Sequence, residues 1–270
     1  MPELPEVETS RRGIEPYLLN RKIKNITIRQ HKLRWPIPKN LPSLATGQKI
    51  REVCRRAKYI YLKLDNGSII IHLGMSGSLR ICEKDTPPEK HDHIDICVSN
   101  KILRLRDPRK FGCVLWTAKD INQHKLIKAL GPEPLDNTFT AEYLHGKANK
   151  RTCSIKSFIM NSHMVVGVGN IYASESLFKA GINPKRKAGS VSLARLKKLV
   201  DAIKLTLRES IEQGGTTLKD FTSEDGQPGY FAQKLLVYGK AGEDCSVCGK
   251  PVKQITQQAR STFYCTKCQR

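Results

Sequence analysis

The chain has 270 residues, with 47 Lys+Arg against 25 Asp+Glu and a formal net charge of +22. Its 39% hydrophobic content is enough for a buried core, which excludes a disordered chain, and no apolar run reaches the roughly 20 residues that span a bilayer. A balance this basic points to nucleic acid rather than a membrane surface, and its spread along the whole chain points to a folded basic groove rather than a tail.

The first residues read MPELPEVET. Two prolines and two acids in so short a stretch are unusual for a chain end, which is ordinarily loosely specified. The start is acidic and proline-bearing rather than basic and then apolar, so no signal peptide is expected and the expected compartment is the cytoplasm, at the nucleoid. Glu3 and Glu6 fall near the start of a predicted helix with Leu4, Val7 and Leu18 on its apolar side. Pro5 is tolerated in a first turn, whereas Pro16 is expected to end or kink the helix.

From Lys22 to about Trp116 the pattern is mostly strand. YIYLKLDNGSIIIHLG is read as a hairpin turning at Asn66-Gly67, and HIDICVSNKILRLRD as one turning at Ser99-Asn100. Many short strands at this spacing suggest a sandwich or barrel. Lys58 is expected to head a strand. Helices are predicted over Asp120–Leu130, Thr140–Gly146, Ser154–Asn161, Asn170–Ala180 and Ser192–Gln213, the last with a stripe of Leu193, Leu196, Leu199, Val200, Ile203 and Leu207. The turn-rich GPEPLDN at 131–137 marks a boundary, and the glycine-bearing stretch 214–231 is expected to be a binding loop. The predicted fold class is a multidomain α+β protein. Its parts are an N-terminal β-sandwich over 2–131, a helical domain over 132–236 and a small cysteine module over 237–270.

Of nine cysteines, Cys54, Cys82, Cys97, Cys113 and Cys153 are scattered and expected to be reduced, buried and structural. The other four form Cys245-x2-Cys248-x16-Cys265-x2-Cys268. Two tight pairs present four thiolates to one ion, so one structural zinc is expected; two disulfides are the alternative. A closed four-sulfur shell has no open position for catalysis. It would brace the short hairpin QQARSTFY, with Arg260 at its tip. VVGVG lies between two predicted helices, where Gly167 and Gly169 allow tight turns and Asn170 is expected as the next N-cap. Exposed amides at that helix start suit a phosphate, and the pair of helices reads as a helix–turn–helix variant for duplex DNA.

PELPEVET, LGMSGSL, DPRKFG, VVGVGNIYASESLF and the four-cysteine finger with Arg-Ser-Thr-Phe occur in order from Pro2 to Cys268. Together they resemble the formamidopyrimidine-DNA glycosylase family. The resemblance implies an enzyme that excises 8-oxoguanine and formamidopyrimidines from duplex DNA and nicks the abasic strand. It also implies a β-sandwich, a helix–two-turn–helix domain and a zinc finger, with DNA in the cleft between. A monomer whose partner is damaged double-stranded DNA, with no membrane, is expected. Pro2, freed by loss of Met1, would be the nucleophile. An α-amino group has a pKa of roughly 8 against about 10.4 for lysine, so a useful fraction is neutral, and a secondary amine yields a cationic iminium that serves as an electron sink. Without the resemblance, Pro2 could equally set a helix start and the acids complement its dipole.

By resemblance, Glu3 is the general acid/base and Glu6 supports it. Lys58 and Arg260 complete the catalytic set by gripping phosphate and assisting proton transfer and the final elimination. Met75 would fill the vacated stack, Phe111 wedge a base step, and Arg109 read the orphaned cytosine. His72, His91, Arg151, Asn170 and Tyr238 match backbone-contacting positions, and Lys156 a lysine near the damaged strand. Three departures stand out. Asn161 replaces a usual Asp, Ala259 a common Gly before the finger arginine, and Lys110 a frequent Arg. The rival readings are an endonuclease VIII-like glycosylase for oxidised pyrimidines and a non-enzymatic zinc-finger DNA-binding protein. PELPEVE and the Met75/Arg109/Phe111 set favour the purine branch.

Overall fold

The structure is a computed structural model describing residues 2–214 and 235–270; the expected binding loop after Gly214 lies outside the described residues. The chain divides into two compact units, one running to Lys128 and one containing Ala129–Gln213 and the C-terminal segment.

The first unit opens with α1 (Leu4–Leu18), which buries Leu4, Val7, Ile14 and Leu18. The helix continues two residues past Pro16, because the donor that proline lacks falls in the last turn, where few bonds remain to be lost. Next come β1 (Ile23–Ile28), a short α2 (Leu41–Ala45), β2 (Glu52–Arg56), β3 (Tyr59–Leu64) and β4 (Gly67–His72). β5 (Ser78–Glu83), β6 (Asp92–Val98), β7 (Lys101–Arg106) and β8 (Cys113–Thr117) complete two four-stranded antiparallel sheets, ordered β1-β6-β7-β5 and β2-β3-β4-β8. One core joins them. Ile26, Ile94, Ile96, Leu103 and Leu105 of the first sheet cluster with Val53, Ile60, Leu62, Ile69, Ile71 and Val114 of the second and with α1. This is the predicted sandwich.

Two local expectations need correction. Leu64 pairs with Gly67, so the hairpin loop is Asp65-Asn66 and Gly67 is already in the strand. Gly67 has φ +151, and a Cβ there would lie 2.5 Å from the Trp116 ring, so the glycine clears space for an indole. The helix expected over Asp120–Leu130 is a single 3-10 turn, Ile121–Gln123, capped by the Asp120 side chain and followed by extended His124. So short an apolar segment cannot sustain a helix without a continuous face to pack.

In the second unit, α3 (Ala141–Ala148), α4 (Ile155–Ile159), α5 (Asn170–Lys179) and α6 (Leu193–Glu212) precede the hairpin β9 (Lys253–Gln257)–β10 (Arg260–Tyr264). α5 is buried on nearly every side, from Ile171 to Phe178, and is the central rod of this unit. Phe178 also enters a small cluster with Val237, Cys245, Val252, Phe263 and Cys265. The chain end is tied down: Gln269 accepts from the Cys265 amide and donates to Ile182 O, both at 2.9 Å. Of the five scattered cysteines only Cys113 is buried; Cys54, Cys82 and Cys97 are half-buried and Cys153 is exposed. In a strand only alternate side chains face the core, so an apolar run does not bury every thiol in it.

Candidate active site and nucleic-acid interface

The start of α1 is tightly specified. Pro2 is buried, and Glu3 and Glu6 are each 3% exposed. They form a reciprocal capping box in which Glu6 Oε2 accepts from the Glu3 amide at 2.8 Å, so each acid occupies an orphan donor of the first turn. One turn on, Glu8 gathers three arginines. It accepts from Arg11 and Arg12 of α1, and from Arg55 Nε of β2 at 3.0 Å. Burial raises the Glu8 carboxyl, but these bonds and charges outweigh it and hold the group below the ordinary carboxylate range.

Arg55 passes this anchor onward, donating from Nη1 to Ala57 O at 2.9 Å. Ala57 and Lys58 are the two-residue loop joining β2 to β3, flanked by the Arg56–Tyr59 pair. Ala57 adopts φ +56. Lys58 therefore sits in the turn rather than heading a strand, and its half-buried stem reaches the field of His72. The His72 ring tilts against Tyr59 at 4.8 Å, and its Nδ1 accepts from the Gly74 amide at 2.9 Å. Burial, then the charges of Lys58 and Arg34, lower its pKa to about 4. His72 is thus neutral at physiological pH and offers Nε2–H as a donor.

Met75 and Phe111 are two of the few large apolar side chains left exposed, at 39% and 45%. The Arg109 guanidinium lies 5.0 Å from the Phe111 ring. Their loops touch closely. Gly74 has φ +65, and a Cβ there would come within 2.4 Å of the Phe111 backbone. Fully buried Asp107 accepts from Ser76 Oγ at 3.0 Å and the Gly112 amide at 2.7 Å. Its carbonyl faces His93 Nε2 at 2.8 Å, and its amide donates to the carbonyl of His91, a residue at φ +78.

In the second unit, exposed Arg151 and Arg260 line a pocket of about 280 Å³ with Ser157, Phe158, Asn161 and Gln258. Lys156 is 2% exposed, and its Nζ donates to Ser261 O at 3.0 Å and Thr262 Oγ1 at 2.8 Å. These bonds tie α4 to the finger hairpin. Asn170 also donates to Ser261 O, at 2.9 Å, and its Oδ1 is buried without a hydrogen-bond partner. Asn170 is the first helical residue of α5; the cap is Gly169, in extended backbone, while Gly167 supplies the positive φ, +79. Tyr238 packs edge-on against Phe263 at 5.0 Å.

Gln258 and Ala259, both at positive φ (+47 and +57), make the two-residue turn of the finger hairpin, so Arg260 is the first residue of β10. Ala259 does occupy the conformation that favours glycine. Asn161 keeps a local role, its Oδ1 accepting from the His163 amide at 3.0 Å. Lys110 is at φ +56 and donates to Gln30.

The Sγ atoms of Cys245, Cys248, Cys265 and Cys268 all lie within 4.8 Å of one another, with Cys245–Cys268 at 3.9 Å and Cys248–Cys265 at 3.4 Å. A tetrahedron of 2.3 Å metal–sulfur bonds has edges of about 3.8 Å, so the four thiols can hold one metal ion.

Glu8, Arg55, Ser76, Asp107 and buried Glu175, which accepts from the Leu236, Val237 and Tyr238 amides, were missing from the sequence reading. Two left a trace: the Glu8/Arg11/Arg12 spacing, and a lone acid on an apolar helix at Glu175.

A two-sheet sandwich headed by a proline and buried acids, followed by a helical unit with a four-thiol hairpin, defines a DNA-processing protein of the helix–two-turn–helix class. The formamidopyrimidine-DNA glycosylase N-terminal domain matches residues 1–114 and the H2TH domain of the same enzymes matches residues 130–222. A formamidopyrimidine-DNA glycosylase of Cellvibrio japonicus is 55% identical over the full length of both chains. A Lactococcus lactis FPG mutant in complex with a Fapy-dG containing DNA superposes with a TM-score of 0.93 at 34% identity, covering 99% of each chain. A MutM in complex with carbocyclic 8-oxo-G containing DNA gives 0.92 at 35% identity, again over 99% of each. The chain belongs to the formamidopyrimidine-DNA glycosylase family. Among the described residues no helix is long and apolar enough to cross a membrane.

Proposed function

We propose that this chain is a bifunctional glycosylase and abasic-site lyase of base excision repair, acting on 8-oxoguanine and formamidopyrimidines in duplex DNA. One observation carries the reading. In a chain full-length similar to this family, Pro2 directly precedes a helix whose first two acids are buried and locked together. Once Met1 is lost, this sets two carboxylates, fixed by their capping-box bonds, next in sequence to one secondary amine, the pairing that an amine nucleophile with a general acid requires. The purine preference follows the relatives' substrates, Fapy-dG and 8-oxo-G DNA.

Once Met1 is removed, the Pro2 nitrogen adds to C1′ of the extruded nucleoside, the glycosidic bond breaks and the base leaves with a proton. Glu3 protonates O4′ as the sugar opens, leaving an iminium between the Pro2 nitrogen and C1′. Loss of a C2′ proton expels the 3′ phosphate, and loss of a further proton, from C4′, expels the 5′ phosphate. The product is a one-nucleotide gap flanked by phosphates. Glu6 fixes the Glu3 backbone, and Lys58, held by its turn, neutralises phosphate and helps move protons. Arg260 binds the lesion phosphates and assists the second elimination.

Met75 fills the stack, Phe111 wedges it and Arg109 reads the orphaned cytosine. His72, as a neutral donor, and His91, Arg151, Asn170 and Tyr238 contact the backbone, and Lys156 acts through the hairpin it holds. The cysteine set takes one zinc, for which an all-sulfur tetrahedron is the fitting donor set; when bound, the ion braces the hairpin. The enzyme acts as a monomer in the cytoplasm, at the nucleoid.

Borohydride trapping on an abasic duplex, followed by intact mass, tests the centre of this reading. The expected result is a covalent adduct on a chain lacking Met1, mapped by peptide mass to the Pro2 nitrogen and lost when the amino terminus is blocked. A mature chain that retains Met1, or an adduct that maps to another residue or survives the block, refutes it.

A further inference from the structure

Met75 and the Arg109/Phe111 pair come from two different loops, Leu73–Gly77 and Asp107–Gly112. Side chains carried on two separate loops need a common brace if they are to act on one vacated site. The brace is a buried polar pair. Asp107 is 0% exposed and Ser76 8%. The Ser76 hydroxyl donates to Asp107 Oδ1 at 3.0 Å and accepts from the Arg109 amide at 3.3 Å. The other carboxylate oxygen accepts from the Gly112 amide at 2.7 Å, so one carboxylate spans both ends of the segment that carries Arg109 and Phe111. Asp107 is fixed in turn by His93 through its carbonyl and by the His91 carbonyl through its amide. Glycine lets the backbones of the two loops meet: a Cβ at Gly74 would lie 2.4 Å from the Phe111 carbonyl carbon and 2.5 Å from the Gly112 nitrogen.

A carboxylate buried at this depth is costly unless each lone pair is used, and here both oxygens are spent on the loop junction. We infer that Ser76 and Asp107 are a positioning pair that couples stack filling by Met75 to opposite-base reading by Arg109, and so set discrimination for cytosine across from the lesion. This rests on the roles proposed above for Met75, Arg109 and Phe111.

The test compares Ser76→Ala and Asp107→Asn with Arg109→Ala and wild type. The readout is the ratio of kcat/KM for 8-oxoguanine opposite cytosine to that opposite adenine. A second measurement is borohydride trapping on single-stranded abasic DNA, which has no opposite base and no stack to fill. Losing one bond of a buried charged pair is expected to lower the cytosine/adenine ratio about tenfold in both variants, approaching Arg109→Ala, while single-stranded trapping stays within about threefold. If Arg109→Ala collapses the ratio but both pair variants keep the wild-type value, the inference is wrong and the trio stands. If trapping falls in step with duplex excision, the pair only maintains the fold and the inference is overturned. If Arg109→Ala leaves the ratio unchanged, the reading of the trio itself fails, and the inference with it.

Discussion

Glu175→Gln is the substitution whose cost the structure specifies most closely. Glu175 lies on the central helix of the second unit, 1% exposed. Its Oε1 accepts from the Val237 and Tyr238 amides at 2.9 and 2.8 Å, and Oε2 from Leu236 at 2.8 Å. Glutamine has the same shape, yet its amide can turn only one oxygen toward these donors. Two bonds survive as neutral rather than charge-assisted ones, and an NH₂ is set against the Leu236 amide. A buried donor left unpaired costs about 1–3 kcal/mol, and each weakened bond adds up to about 1. The expected loss is about 3 kcal/mol, or roughly 6–12 °C in Tm at about 2–4 °C per kcal/mol. Thermal unfolding measures the total, and hydrogen exchange at Leu236–Tyr238 locates it, with protection lost at these amides before the rest of the unit. Because Tyr238 is positioned by this anchor against Phe263, duplex affinity is expected to fall as well. A Gln variant with unchanged Tm and protected amides refutes the carboxylate's role as the anchor of this segment.

His72, with a folded pKa lowered to about 4, is expected to show no imidazole titration by NMR between about pH 8 and 5. The unfolded chain then binds more protons below about pH 6.5. Stability from this group is present above that value and declines as pH falls toward 4; a ring titrating near 6.5 contradicts it. Purified protein should contain one zinc per chain by elemental analysis, and chelation should lower both Tm and duplex affinity. Two disulfides by mass, with no metal, refute the site. Ala259→Gly removes the strain of a Cβ at φ +57, worth about 1–2 kcal/mol, but loosens the unfolded chain by about 0.4–1. A net gain in Tm of one to a few degrees is expected, and a drop would show that Ala259 is not strained.

Much of the site was legible because its residues carry their signal locally. Proline followed by spaced acids, paired cysteines at x2, and glycine-separated motifs each constrain a few consecutive residues, and the family resemblance ties them to one chemistry. The sandwich was legible for the same reason, since alternation and turn residues repeat every few positions. Lys58 shows the limit of such reading. Its neighbours look like strand, and only the Arg56–Tyr59 pairing reveals a two-residue turn. Lys156 shows another: a lysine in a helix looks solvated until the Ser261 carbonyl, more than a hundred positions away, is found on its ammonium.

The sequence by itself determined the order of strands, helices and finger, the proline followed by spaced acids, the four-cysteine spacing and the basic charge of the chain, because those depend on residue type and short spacing. Only the tertiary structure decided which polar groups are buried and what they hold. Asp107 braces two loops, Glu8 reaches a turn through Arg55, and Glu175 ties the chain down ahead of the finger. Each of these is a charge withdrawn from water and satisfied by donors distant in sequence. Pairing across such distances is set by how strands and helices pack, which no local pattern of letters encodes.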